Sequence, residues 1–83
     1  MNDAALVGLA LTNPQQGVAA IYDRYGTSLF NYCYSILRSQ ADAGDALQES
    51  FVTVMGKLSQ LRDPEKLRPW FYAIARNQCF KQH

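Results

Sequence analysis

Two carboxylates one helical turn apart are the residues of this sequence best spaced for metal binding or acid–base chemistry. Asp45 and Glu49 are four positions apart and therefore share a face if the segment is helical. A metal site within a helical bundle also takes His or Glu ligands from facing helices, and the other predicted helices offer none. We expect no metal and no cofactor here, which leaves both carboxylates to a solvated helix face or to a protein contact.

Catalytic and nucleotide-binding patterns are missing from the sequence as well. The five glycines stand singly, without the spacing of a phosphate-binding loop, and no nucleophile stands beside a general base. Cys33 and Cys79 lie 46 positions apart, with no CxxC pair, so we expect reduced, buried thiols instead of a disulfide or a zinc site. These patterns argue against an enzyme.

The C-terminal quarter has a different composition, in which basic and aromatic residues are interleaved. Cations in such a segment follow a phosphate backbone, aromatic rings stack unpaired bases at roughly 1–3 kcal/mol each, and an Asn side chain can hydrogen-bond a base edge. A helical core with an ordinary charged surface has the same composition, so both interpretations stay open. The interleaved residues are Arg62, Lys66, Arg68, Trp70, Phe71, Tyr72, Arg76, Phe80 and Lys81.

Charge is segregated along the chain, although its net value is only +1. Residues 1–56 contain five carboxylates and two arginines, a formal charge of −3, whereas residues 57–83 contain six basic and two acidic side chains, a charge of +4. The C-terminal end can therefore meet a polyanion while the middle of the chain repels one.

The elements that position these residues are predicted to be helices, because apolar residues recur at steps of three and four and do not alternate with polar ones. With 83 residues, 48% of them apolar, the chain predicts one compact all-α bundle of about four to five helices. The N-terminal stretch lacks the basic flank of a secretion signal and the length of a membrane span, so a soluble cytoplasmic protein is predicted.

The N-terminal half is predicted to contain one short helix and one long helix. The short helix covers residues 3–11, and Pro14 favours the start of the long one, which Gly26 kinks or divides. The inner face of the short helix is predicted to be Leu6, Leu9 and Ala10. The apolar stripe of the long helix contains Val18, Ile21, Tyr22, Tyr25, Leu29, Tyr32, Cys33, Ile36 and Leu37.

A third major helix is predicted from a Ser39 cap to about residue 58. The serine hydroxyl accepts from unpaired amides of the first turn, and Asp42 complements the helix dipole there. Its buried stripe is predicted to be Leu47, Phe51, Val54, Met55 and Leu58. Its opposite stripe, which has no partner on its own helix, is Asp45, Gln48, Glu49 and Val52.

A basic loop over residues 59–68 and a last helix complete the prediction. The helix begins at Pro69, which suits a first turn, and ends near residue 80. The residues expected to be buried are Phe71, Ile74 and either Ala75 or Cys79. The residues expected on a neighbouring face, at steps of seven and four, are Trp70, Asn77 and Lys81.

Three segments in this order resemble region 2 of bacterial RNA polymerase sigma factors, in the extracytoplasmic-function group of the sigma-70 family. They are IYDRYGTSLFNYCYSILR, ADAGDALQESFVTVMGKL and LRDPEKLRPWFYAIARNQCF. Within them, DALQESF at 45–51 is similar to the family's D-x-x-Q-E-x-F signature and WFYAIARN at 70–77 to its W-L-Y-R-I-A-R-N helix. The resemblance covers residues 3–82, and both signatures in order are more specific than either alone.

The resemblance implies a non-enzymatic promoter-specificity domain with two partners. One is RNA polymerase core, through the clamp helices of its largest subunit, and the other is the single-stranded non-template strand of the melted minus-ten element. Polymerase binding is assigned to Asp45, Gln48 and Glu49, with Val52 and Met55 as apolar neighbours. Promoter capture is assigned to the loop 61–67 and the last helix.

In the same assignment, each residue of the C-terminal segment has a role in holding the promoter strand. Asn77 reads an extruded base, and Trp70 lies where the strands separate, because a flipped base needs a pocket and charge close together. The residues that hold phosphates are Arg62, Lys66, Arg68, Arg76 and Lys81.

The sequence departs from the family pattern at several positions. Gly44 stands where the family usually has a second acidic residue, and Leu67 stands where many relatives have an aromatic one. The loop LRDPEKL lacks the common glycine-rich form, so the sequence predicts no particular promoter. Family members normally add a helix-turn-helix domain that binds the minus-thirty-five element, and residues 1–83 are expected to be a single region 2-like domain without it.

Two other interpretations compete with a sigma region 2 domain. One is a helical interaction module or regulator that binds an anti-sigma partner without binding DNA. The other is a helix-turn-helix protein that reads duplex DNA, but its short turn followed by a recognition helix rich in base-reading residues is absent here. A preference for single-stranded DNA would indicate the sigma region 2 domain, and a preference for duplex DNA the helix-turn-helix protein. No DNA binding would indicate the regulator.

Overall fold

The computed structural model describes residues 1–82 and shows four α-helices. In chain order they are α1 (Asp3–Thr12), α2 (Pro14–Leu37), α3 (Gln40–Lys57) and α4 (Leu67–Lys81). Two single-turn 3-10 helices, Leu58–Gln60 and Pro64–Lys66, lie between α3 and α4. No strand occurs within the described residues, and the prediction of an all-α bundle is confirmed. None of these helices is long and apolar enough to cross a membrane.

Side-chain caps fix the starts of α2 and α3. The Asn13 side-chain oxygen accepts from the Gln16 N–H at 3.2 Å, and Pro14 follows it as the first helical residue, where a missing N–H costs nothing. The Ser39 hydroxyl accepts from the Asp42 N–H at 3.2 Å. The predicted starts at Pro14 and Ser39 are therefore confirmed. The cap by Asn13 also explains how α1 and α2 follow each other with one residue between them.

Gly26 does not divide α2, which continues as one α-helix of 24 residues, so the predicted division is wrong. The glycine instead makes room for a ring, because a Cβ at residue 26 would lie only 3.0–3.1 Å from ring carbons of Tyr22. Tyr22 was predicted to be in the buried stripe, but it is 54% exposed. Its ring lies over Gly26 and beside Phe51 of α3, at the edge of the core.

α1 crosses α2 in near contact of the two backbones. A Cβ at Gly17 would lie 2.2 Å from the Cα of Ala10, so only glycine fits at this crossing. Val7 is buried and Leu9 is half-buried, which reverses the prediction for these two positions. The reason is that α1 contacts α4 and the second 3-10 helix as well as α2, and its buried face turns to include Val7.

The connection between α3 and α4 is shorter and more ordered than the loop predicted over residues 59–68. α4 begins at Leu67, two residues before Pro69, so the predicted start is wrong. Pro69 still lies in the first turn, where the backbone N–H groups have no partner within the helix, and its ring is tolerated there. Leu67 is fully buried and anchors the start of α4 to the core.

One core cluster joins all four helices. Ile74 and Met55 were predicted to be buried, but both are only half-buried at its edge. Ala75 and Cys79 are both buried, whereas the sequence pattern predicted burial of one or the other. The buried apolar residues are Leu6, Val7, Ala10, Ile21, Tyr25, Leu29, Cys33, Ala43, Ala46, Leu47, Phe51, Val54, Leu58, Leu67, Phe71, Ala75 and Cys79.

Cys33 of α2 and Cys79 of α4 are neighbours in this core. Both thiols are free and fully buried. Burial, and then interaction with the neighbouring Cys79 thiol, raises the pKa of the Cys33 thiol to about 12. A thiol that ionises so reluctantly is a poor nucleophile, and the prediction that both thiols are buried is confirmed.

Asp3 ties the N-terminal residues to α2. Its carboxylate accepts from the Arg24 guanidinium at 3.2 Å and from the Tyr25 hydroxyl at 2.5 Å. Arg24 also donates to the Met1 carbonyl oxygen. Burial, and then the hydrogen bond to Asp3, raises the pKa of Tyr25 to about 12.

Candidate functional site

The outer face of α3 is polar and open to solvent. Asp45, Gln48 and Glu49 are exposed, and the Val52 side chain is 61% exposed. The ion pair found within residues 1–82 lies elsewhere, between α1 and α2. Among the same residues, no three His, Cys, Asp or Glu side chains lie close enough together to hold a metal ion. The chemistry offered by this face is hydrogen bonding and pairing of its carboxylates with cations.

An apolar depression, here called the α2–α3 trough, lies beside this face. Two adjoining cavities of about 480 and 470 Å³ form it, and both are lined by Val18, Gln48 and Phe51. Val52 and Met55 belong both to the trough and to the outer edge of α3, so the two form one continuous surface. The full lining is Pro14, Gln15, Val18, Tyr22, Phe30, Gly44, Leu47, Gln48, Phe51, Val52 and Met55.

The sequence pattern did not predict that Tyr22 lines an open surface. Its ring centroid lies 5.3 Å from that of Phe51, with the planes tilted by 41°, and half of the side chain faces solvent. Spacing along α2 predicted this tyrosine to be a core residue. Gly26, one turn further on, was the available signal, because a glycine four positions from an aromatic residue lets the ring lie flat on the helix surface.

The connection before α4 presents two of the predicted phosphate contacts. Arg62 and Lys66 are exposed, whereas Leu61 is half-buried and Leu67 fully buried on either side of them. The two leucines therefore fix the ends of the connection while the cations project from it. Leu67 is an anchor and offers no ring to a ligand.

The outer face of α4 brings together most of the remaining predicted residues. Asn77 and Lys81 are exposed one turn apart, and Arg76 is exposed beside them. Trp70 lies on the same line of the helix but is half-buried and packs against the core. The Gln78 amide donates to the Thr53 hydroxyl at 3.5 Å.

Arg68 and Arg76 also lie on α4 and are exposed. Acidic and basic candidate residues are thus carried by different helices. The exposed carboxylates of Asp45 and Glu49 belong to α3, whereas the candidate cations belong to α4 and to the connection that precedes it. This separation keeps a polyanion away from the carboxylates of α3.

The domain thus has two kinds of surface, a polar and apolar face on α3 and a basic, aromatic face on α4. The family model of Sigma-70 region 2 matches residues 21–83. The chain belongs to the sigma-70 region 2 family, whose members are domains of non-enzymatic transcription initiation factors. The resemblance stated from the motifs is confirmed, as is the prediction that the chain is not an enzyme.

One curated relative is the RNA polymerase sigma factor SigV of Bacillus subtilis (strain 168). It is 33% identical to this chain over 45 residues, which are 54% of the chain and 27% of the relative. The match therefore spans about a quarter of that protein. No solved structure matches the chain significantly.

Proposed function

We propose that this chain is the region 2 domain of an extracytoplasmic-function sigma factor. It binds the clamp helices of the largest RNA polymerase subunit through α3, and it captures the single-stranded non-template minus-ten element through α4 and the connection before it. Its place of action is the bacterial cytoplasm, and an anti-sigma factor is a further partner. The observation that supports this proposal most directly is the separation of an acidic, apolar face on α3 from a basic, aromatic face on α4.

The polymerase contact combines charge with apolar burial. Asp45 and Glu49 pair with cations of the partner helix, and Gln48 hydrogen-bonds at the border between the polar face and the trough. Val52 and Met55 provide apolar area beside them. Gly44 lines one end of the trough, and nothing lies within 4 Å of the position that a Cβ would take there. The glycine therefore leaves that end of the trough open, which is compatible with this contact.

The promoter contact combines phosphate binding with base capture. Arg62 and Lys66 hold phosphates before α4, and Lys81 does so near its end. Asn77 hydrogen-bonds the edge of an extruded base, and the exposed part of Trp70 borders the point where the strands separate. Extruding a base costs a few kcal/mol of stacking and pairing, which phosphate contacts close to the base offset.

Titration of the chain against a fragment that contains the polymerase clamp helices tests the first contact. We expect saturable binding that disappears in the double variant Gln48→Ala, Glu49→Ala. A matched control is Gln16→Ala, which removes an exposed polar side chain of α2 that does not line the trough. Absence of binding by the folded wild-type chain would contradict the polymerase contact. If DNA binding were absent as well, the regulator that binds an anti-sigma partner would become the better interpretation.

Binding to single-stranded and duplex minus-ten DNA tests the second contact. We expect a preference for the single strand, and Asn77→Ala should weaken binding to the preferred strand by about 5- to 150-fold, the range of one base-edge contact. Binding to scrambled strands should change little. A duplex preference would favour a helix-turn-helix reader, and an equal loss on preferred and scrambled strands would remove the reading role of Asn77.

A further inference from the structure

The first helix lies outside the part of the chain that belongs to the family, which begins at residue 21. α1 nevertheless packs on the core through Leu6, Val7 and Ala10. A helix of ten residues is too short to be stable in isolation, so these contacts hold it in place. Ordering such a segment costs conformational entropy. What α1 does for the domain therefore follows from what it touches.

α1 contacts the connection between α3 and α4 as well as α2. The two single-turn helices of this connection adjoin α3 and α4 in sequence, and both also contact α1. Short 3-10 turns have poor hydrogen-bond geometry, so they depend on contacts with other elements. Leu58 and Leu67 lie in the same core cluster as the buried face of α1, and Leu61 packs against it. The backbone that presents Arg62 and Lys66 is therefore supported by α1.

Asp3 fastens the N-terminal end of α1 to α2. Its side chain is only 18% exposed, and it accepts from the Tyr25 hydroxyl at 2.5 Å and from the Arg24 guanidinium at 3.2 Å. Arg24 also donates to the Met1 carbonyl oxygen. Hydrogen bonds with an ionised partner are about twice as strong as those between neutral groups. We call Asp3, Arg24 and Tyr25 the N-terminal latch.

Tyr25 connects the N-terminal latch to the start of α4. Its ring lies against that of Phe71, with centroids 6.3 Å apart. Phe71 is fully buried one turn after Leu67, the residue at which α4 begins. The charge of Arg68, in the first turn of α4, also acts on the Tyr25 hydroxyl, so this turn lies near the latch. Asp3 is thus linked to the start of α4 by two routes, the Tyr25 ring and the body of α1.

We propose that α1 is a brace for the connection before α4, and that Asp3 is the positioning residue that keeps this brace in place. Asp3 touches no DNA in this arrangement, because its carboxylate is mostly buried and repels a phosphate. The inference rests on the proposed promoter contact and adds to it a residue from outside the matched family region. Opening the latch should loosen residues 58–66 and the start of α4, but not the outer face of α3.

Binding of single-stranded minus-ten DNA by Asp3→Ala tests the brace, because the two possible effects have opposite signs. Removal of a negative charge by itself leaves DNA affinity unchanged or raises it. Loss of the brace lowers it, and we expect a decrease of about 2- to 30-fold. Asp23→Ala is the matched control, since it removes an exposed carboxylate of α2 that has no part in the latch. This control should not weaken binding.

Two further measurements separate positioning from a general loss of structure. Trp70 is the single tryptophan of the chain and precedes Phe71 in α4, so its fluorescence reports on the start of that helix. We expect acrylamide to quench Trp70 more strongly in Asp3→Ala, and also in Tyr25→Phe, which keeps the ring but removes the hydroxyl. Amide hydrogen exchange should become faster in residues 58–70 and stay unchanged in α3. Binding to the clamp-helix fragment should stay unchanged as well.

The outcomes of these experiments separate the inference from the proposed function. Wild-type or tighter DNA binding by a folded Asp3→Ala chain would overturn the brace while leaving strand capture in place. Parallel losses of DNA binding and clamp binding would also overturn it, because they indicate a general loss of structure. If the wild-type chain bound no single strand, the proposed capture would fail. Trp70 quenching and hydrogen exchange would then decide the brace by themselves.

Discussion

The rings of Phe51 and Phe71 meet edge to face, with centroids 4.9 Å apart and planes at 73°. Phe51 belongs to α3 and Phe71 to α4, so this contact joins the two helices that contain the proposed binding faces. Phe51 also contacts Tyr22 at the trough, and Phe71 contacts Tyr25 at 6.3 Å. The four rings therefore form a continuous row in the order Tyr22, Phe51, Phe71 and Tyr25. The row begins and ends on α2, at residues three positions apart.

Phe51→Ala should lower the free energy of unfolding by about 3–5 kcal/mol, because it removes a buried ring and leaves a cavity between α3 and α4. Such a decrease is a large part of the total stability of a domain of this size. Urea denaturation followed by circular dichroism measures it. Phe80→Ala removes an exposed ring and should change stability by less than about 0.5 kcal/mol. Equal losses of stability in the two variants would show that Phe51 does not lie on the buried face of α3.

Gly17→Ala should destabilise the domain by about 1–3 kcal/mol, since the added methyl group would lie 2.2 Å from the Cα of Ala10 and the two helices must move apart. Gly8→Ala is the matched control in α1, where a Cβ meets nothing within 4 Å, and it should stabilise by roughly 0.5–1 kcal/mol. Thermal denaturation of both variants gives the comparison. A stable Gly17→Ala protein would be incompatible with the close crossing of α1 and α2.

Tyr25 should make the domain less stable at alkaline pH. Its pKa is near 10 in the unfolded chain and about 12 in the folded one, so the stabilisation is complete below pH 10 and disappears between pH 10 and 12. The buried thiol of Cys33, whose pKa is likewise about 12, contributes in the same direction from about pH 9. Urea midpoints measured between pH 8 and 11 should fall, and Tyr25→Phe should reduce the slope above pH 10. An unchanged slope in that variant would show that the hydroxyl is not protected by burial and by Asp3.

Replacing Arg76 and Lys81 by glutamine should weaken binding to all single strands alike, whatever their sequence. Every phosphate that a side chain no longer neutralises reduces the slope of log affinity against log salt by about 0.7, so the double variant should have a slope smaller by about 1.4. Affinities measured at three or more salt concentrations give the slope. Lys57→Gln, which removes an exposed cation at the end of α3, is the control. A slope equal to that of the wild type would mean that neither side chain reaches the DNA backbone.

Features governed by local chemistry could be predicted from the sequence. The Ser39 cap, the start of α2 at Pro14 and the exposed stripe of α3 each follow from residue type and spacing within one or two turns. The signature DALQESF and the C-terminal WFYAIARN were sufficient to indicate the family. The placement of polar candidates on the surface followed from the same helical spacing.

Features that depend on contacts between distant segments could not be predicted in this way. Tyr22 has the spacing of a core residue, and only its position over Gly26 and beside Phe51 turns it outward. Val7 replaces Leu9 on the buried face of α1 because α4 and the second 3-10 helix pack there too. The contacts of guanidinium groups with rings on α4 likewise depend on side-chain conformations that spacing alone does not determine.

The burial of both native thiols has a practical consequence for labelling the protein. Cys33 and Cys79 are enclosed between α2 and α4, and the thiolate of an accessible cysteine is what attacks a maleimide reagent. A cysteine introduced at an exposed position without a proposed contact, such as Ala41 on α3 or Ala73 on α4, is therefore the thiol that a dye reaches in the folded chain. A fluorophore can be placed in this way beside either proposed binding face without replacing a residue of that face.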